Sequence, residues 1–157
     1  MPSTLSPTPL AEHELAAWRG MLEVHAQVTQ RLDAQMHAEH GLSLSAYEVL
    51  MFLADAPEHR MRMSDIAANV LLSRSGCTRL VDRLVELGYV TRCAATGDGR
   101  GLNARLTEAG LEKVAAARST HREGIRRFFL EHLTKTDQIA LGDIWTRFQA
   151  QRRLATA

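Results

Sequence analysis

The stretch on which the fold turns is LLSRSGCTRLVDRLVELGYV, residues 71–90. Wound as a helix, it places Cys77, Leu80, Val81 and Leu84 at i, i+3, i+4 and i+7, an apolar stripe along one side. Ser75, Thr78, Arg79, Asp82 and Arg83 fall on the other side, with Arg74 at the N-terminal end. Ser73 is placed to cap the helix and Gly88 to end it. The polar side suits DNA: the major groove accepts one helix, arginine can bond bidentately to guanine O6 and N7, and short hydroxyls reach base edges or phosphates. The free N–H groups of the first turn add partial positive charge toward a phosphate. An ordinary amphipathic surface helix has the same pattern, so the flanking sequence must discriminate between the two.

Working outward, SDIAANVL (64–71) reads as a short helix capped by Ser64, and RMRM (60–63) before it as a short strand. Ser45 and Glu48 form a capping box for a helix carrying Val49, Leu50 and Leu53, with Leu44 and Val49 as its hydrophobic staple, stopping before Pro57. On the C-terminal side, YVTRCA (89–94) and LNARL (102–106) read as strands joined by the glycine-bearing turn ATGDGRG. Three helices followed by a hairpin describe a winged helix-turn-helix over residues 42–106. The fold class is therefore mainly α with a small β-hairpin wing. Residues 1–8 read as a disordered tail, after which Thr8 and Pro9 begin a long helix running to about Gly41. One helix is expected from Thr107 to about Leu133, and another from Thr134, with Asp137 completing its cap. Residues 9–41 and 107–157 carry apolar stripes too long for so small a lobe (Leu15, Trp18 and Leu22; Ile144, Trp145 and Phe148), and are read as a helical dimerisation region.

Charge is distributed unevenly. The whole chain of 157 residues carries +1, yet residues 60–105 hold eight arginines against four acids, leaving the remainder net acidic. A basic middle on a neutral scaffold fits an anion-binding module. An apolar content of 45% fits a globular chain. No apolar run approaches the ~18 residues of a membrane span, and the N-terminus lacks a signal pattern, so a cytoplasmic location is expected. The two cysteines, Cys77 and Cys93, are too few for a disulfide framework.

The motifs MSDIAANVLLSRSGCTRLVDRLVELGYV (63–90) and DGRGLNARLTEAG (98–110) resemble those of the MarR family of transcriptional regulators, and the resemblance runs from Leu10 to about Leu154. It implies a homodimer on a palindromic operator in double-stranded DNA, with the 73–87 helices in successive major grooves. The DNA contacts would then come from Ser73, Arg74, Ser75, Thr78, Arg79 and Arg83, together with Arg100 in the minor groove, its guanidinium held by Asp98. A narrow minor groove concentrates negative potential and attracts an inserted arginine. The resemblance also implies a small aromatic or phenolic carboxylate that releases the DNA. Trp18, Arg19 and His25, with Tyr47, would supply a stacking face, an anion anchor and polar tips.

Other chemistries are weaker. The G-x-G-x-G of TGDGRG lies between strands, where a dinucleotide loop needs a strand and then a helix. His37, Glu39 and His40 have borderline metal spacing, and no metal or cofactor is expected. No nucleophile–base pair points to an enzyme. Two alternatives remain: a redox-responsive regulator of the same fold using Cys93 or Cys77, and a protein-interaction module that binds no DNA.

Overall fold

A computed structural model describes residues 9–94 and 102–155. The expected tail over residues 1–8 lies outside the described residues. Six helices and three strands follow the order α1 (Glu12–His40), α2 (Leu44–Asp55), β1 (Arg60–Arg62), α3 (Met63–Asn69), α4 (Arg74–Glu86), β2 (Val90–Ala94), β3 (Leu102–Leu106), α5 (Glu108–Phe128) and α6 (Lys135–Ala155). This is a winged helix carried between long terminal helices.

One core serves the whole lobe. Val49, Leu50 and Leu53 of α2 meet Ile66 of α3 and Cys77, Val81 and Leu84 of α4. Val90, Ala104 and Leu106 close it from the sheet, and Leu32, Met36, Val114 and Ala117 from α1 and α5. Burying each large aliphatic side chain is worth about 1.5–3 kcal/mol. The sheet order is β1-β3-β2, all antiparallel, so the expected two-stranded hairpin gains β1 as a third strand. Register places Arg60, Arg105 and Thr91 in one row across it, and Val90 opposite Leu106 in another.

Several helix boundaries differ from those read in the sequence. The long first helix begins at Glu12 and not at Pro9: the Glu14 carboxylate accepts the Ala11 N–H at 2.7 Å, and Glu12 and Glu14 bring acid to the first turn, where the helix dipole favours it. The cap of α2 is Ser43, not Ser45. Its hydroxyl accepts the Ala46 N–H at 3.1 Å, and the Asp33 carboxylate of α1 takes the Leu44 N–H at 2.8 Å. That earlier start carries Leu44 into the core. Ser64 does not cap α3; it lies inside the helix, which begins with Met63. The helix expected to reach Leu133 ends at Phe128, followed by a 3-10 turn over Leu130–His132. Phe128, Phe129, Leu130 and Leu133 are all partly buried, and Phe128 packs against the core. Thr134 caps α6 as expected, with Asp137 in a reciprocal pair, and Thr107, read as the approximate start of α5, is its cap.

The C-terminal half of α1 is fastened to α5. Thr120 is buried; its hydroxyl donates to Glu39 at 2.9 Å, while His40 Nε2 lies 2.8 Å from the same oxygen. These bonds hold the Glu39 carboxyl below its ordinary pKa, with Gln35 as the largest contributor. Gly124 lets the two helices approach, since a Cβ there would stand 2.6 Å from Leu32 Cδ2. Gly110 is tighter still, because a Cβ would overlap the Tyr89 carbonyl oxygen.

Two measurements follow from this packing. Gly110→Ala meets a backbone atom and is expected to cost about 1–3 kcal/mol in urea denaturation; Gly124→Ala, which meets movable side chains, should cost less. Equal costs would refute the distinction. Burial pushes the His121 imidazole below its usual pKa, so the folded state favours the neutral ring that packs at 4.7 Å on Tyr47. Its contribution is therefore full above the unfolded value of about 6.5 and is lost as pH falls through it toward the folded value. Denaturation curves between pH 8 and pH 5 should show a smaller acid-side loss for His121→Phe than for the parent chain.

Candidate nucleic-acid interface

On α4 the apolar and polar sides are separated as the stretch 71–90 required. Cys77, Val81 and Leu84 are buried, and Leu80 is partly buried against the same core. Arg74, Ser75, Thr78, Arg79 and Arg83 are exposed. Ser73 caps the helix, its hydroxyl accepting the Gly76 N–H at 3.1 Å and lying 3.3 Å from the Ser75 hydroxyl. Thr78 donates to the Arg74 carbonyl at 2.9 Å, which restrains its rotamer. Arg74, Arg79 and Arg83 take part in no ion pair among the described residues. The result is a convex cationic rod with unpaired guanidiniums, and its first-turn amides lie at the same end as Arg74.

Asp82 lies on the polar side but is engaged. Its carboxylate takes a hydrogen bond of 2.7 Å from Arg92 of β2, which braces the wing sheet against α4. Sequence reasoning assigned Arg92 no role; the only local signal was an acid among arginines, and its partner stands ten residues further on. The Arg118–Asp55 pair, at 3.1 Å, makes a similar brace between α5 and the end of α2. Asp98 and Arg100, the expected wing contacts, lie outside the described residues.

The effector candidates divide into two sets. Trp18, Arg19 and His25 are exposed on the N-terminal half of α1. Tyr47 is buried on α2, its ring against His121 of α5. An open groove of about 530 Å³ between the end of α2, β1, α3 and β3 is lined by Phe52, Asp55, Arg60, Arg62, Asp65 and Asn103, among others, and by none of the four. Among the described residues no three metal-ligating side chains converge; Glu39 and His40 are spent on Thr120, and His37 is exposed.

The two thiols differ. Cys77 is 1% exposed, and burial raises its pKa; its thiol lies 3.8 Å from the Met63 carbonyl. Cys93 of β2 is half-buried. Titration with an aromatic disulfide reagent is expected to find one reactive thiol in the native chain and two in denaturant, and Cys93→Ser should abolish the native reaction. Rapid modification of Cys77 in the native chain would show that the α4 stripe opens.

Comparison with known proteins places this architecture. A model of the MarR family matches residues 40–101. The crystal structure of AbsC, a MarR family transcriptional regulator from Streptomyces coelicolor, is 32% identical, covers 93% of this chain and 98% of that one, and superposes with a TM-score of 0.85. Sco3205, a MarR family regulator from the same organism solved in complex with DNA, is 31% identical over 93% of this chain and 91% of its own, again with a TM-score of 0.85. The regulator PrsX of Escherichia coli is 29% identical over 106 residues, 68% of this chain. That match spans 54% of PrsX, about half its length. With 32% identity to AbsC and a close superposition over nearly the whole of both chains, the chain belongs to the MarR family.

Proposed function

We propose that the protein is a homodimeric, sequence-specific DNA-binding transcriptional regulator that represses by occupying a palindromic operator. The observation that carries this reading is the exposed face of α4, where Arg74, Ser75, Thr78, Arg79 and Arg83 are held outward by the burial of Cys77, Val81 and Leu84. Its similarity to Sco3205, which was solved with DNA, supports the same use of that face.

The terminal helices support dimerisation. Trp18 and Leu22 on α1 are 55% and 46% exposed, and Trp145 and Phe148 on α6 are 41% and 64% exposed. Aromatic side chains left in water on two helices suit a surface shared with a second copy. Two α4 helices facing one side of the duplex would read half-sites separated by about one helical turn, roughly 34–36 Å. Arg100 remains the proposed minor-groove contact of the wing, with Asp98 holding its guanidinium.

Release by a small aromatic or phenolic carboxylate extends the proposal, with Trp18, Arg19, His25 and Tyr47 as its candidate residues. The two lobes would change spacing as the ligand enters the junction between lobe and dimer helices. Hydroxybenzoates are the probe: they should lower DNA affinity of the parent chain, and the effect should weaken in Arg19→Ala. No response of the protein–DNA complex to any of them removes this part alone.

The central test is selection from a random duplex pool followed by shift assays at several salt concentrations. Affinity should fall steeply with salt, as phosphate neutralisation demands. Arg79→Ala should change base preference at one symmetric position, worth about 1–3 kcal/mol, where a phosphate contact would weaken all sequences alike. A chain that enriches no duplex, or whose binding ignores salt, would instead be a protein-interaction module. Sedimentation should find a dimer, and Phe148→Glu should shift it toward monomer.

A further inference from the structure

Among the described residues, three that are not glycine have positive φ: Glu58, His59 and Leu71. The first two have local compensation. Glu58 pairs with Arg60 at 2.7 Å, and His59 Nδ1 lies 2.8 Å from the Ala54 carbonyl oxygen. Leu71 has nothing comparable. It sits at φ 56 just past the end of α3, in the position that closes the helix: the next N–H, of Leu72, returns to the Ala67 carbonyl at 3.0 Å. This is a left-handed helix stop, for which glycine is the unstrained choice. The chain uses glycine in the same role at the ends of α1 and α4, where Gly41 and Gly88 have φ 65 and 78.

The leucine is not repaid by packing. Its side chain is 80% exposed, the highest value among the exposed large apolar residues. Of the other large apolar residues that are more than half exposed, Trp18 lies on α1, Ile139 and Phe148 on α6, and Leu10, Leu87 and Leu102 at the edges of α1, α4 and β3. Leu71 instead stands two residues before Ser73, the cap of α4, at the tip of the helix that presents Arg74 and Ser75. A strained, solvent-facing apolar side chain at this tip is costly in the free protein and gains only when something apolar covers it.

We propose that Leu71 is a specificity-determining residue whose side chain packs on the 5-methyl group of a thymine in the major groove. This rests on the DNA-binding reading of α4. When the N-terminal end of α4 enters the groove, the turn before Ser73 faces the groove wall. The surface there is polar except for thymine methyls, which are the base-edge groups an aliphatic side chain can recognise. Leu71 therefore adds to the arginine contacts a requirement for thymine at one position in each half-site.

The test uses the tightest duplex from a random-pool selection, with each thymine replaced in turn by deoxyuridine, which removes the methyl and keeps every hydrogen bond. The parent chain should lose about fourfold in affinity at one symmetric pair of positions, the worth of a buried methyl. Leu71→Ala and Leu71→Gly should bind the unmodified duplex correspondingly less tightly and lose nothing further at that pair. Leu71→Gly should also melt about 2–4 °C higher than the parent, because glycine adopts this φ without strain, so its weaker binding cannot come from unfolding. Unchanged affinity in both variants, a uniform loss with no link to a thymine, or the same deoxyuridine profile in parent and variants overturns the assignment while leaving DNA binding intact. A parent chain that selects no duplex at all overturns both.

Discussion

The structure depends on the burial of one narrow stripe. Cys77, Val81 and Leu84 are almost completely removed from water, in one core with buried residues of α2, α3 and the sheet. A helix has only one rotation about its axis that satisfies such a stripe. Once it is fixed, the outward direction of Arg79 and Arg83 follows without any contact of their own. The proposed DNA-binding face is thus oriented by residues buried in the core. The Arg92–Asp82 pair adds a second constraint, tying the wing sheet to α4 so that the two move together.

The same logic explains how much was readable in the sequence. Ser73 and Gly88 bracket α4 because a cap and a left-handed stop are local requirements, satisfied within a few residues. The bounds of β3 were readable for a similar reason, with a glycine-bearing turn before it and Thr107 capping the next helix. Serines at positions 43 and 45 have the same capping chemistry, and the choice between them at the start of α2 is made at a distance, by Asp33 reaching Leu44 and by the core's claim on Leu44 itself. A strand as short as β1 is likewise recognisable only once β3 pairs with it.

Long-range pairs were not legible at all. Nothing near Tyr47 announces His121, and nothing near Glu39 and His40 announces Thr120. A pair of histidines around a glutamate resembles metal-ligand spacing locally, while in the fold two of the three side chains serve as a clasp between helices. The polar face of α4 was legible as a face, but the engagement of Asp82 was not, because its partner lies on another element.

That clasp gives α1 the properties of a lever. The helix has 29 residues; its C-terminal half is held in the lobe, where Leu32 and Met36 are buried and Glu39 and His40 meet Thr120 of α5, and the residues before Val28 extend about 24 Å beyond it. A rotation of about 8° at the held half displaces the far tip by about 3.4 Å, the rise of a base-pair step. In the dimer proposed above, a small strain at the clasp would become, at the far end of this rod, a displacement on the scale of one base-pair step.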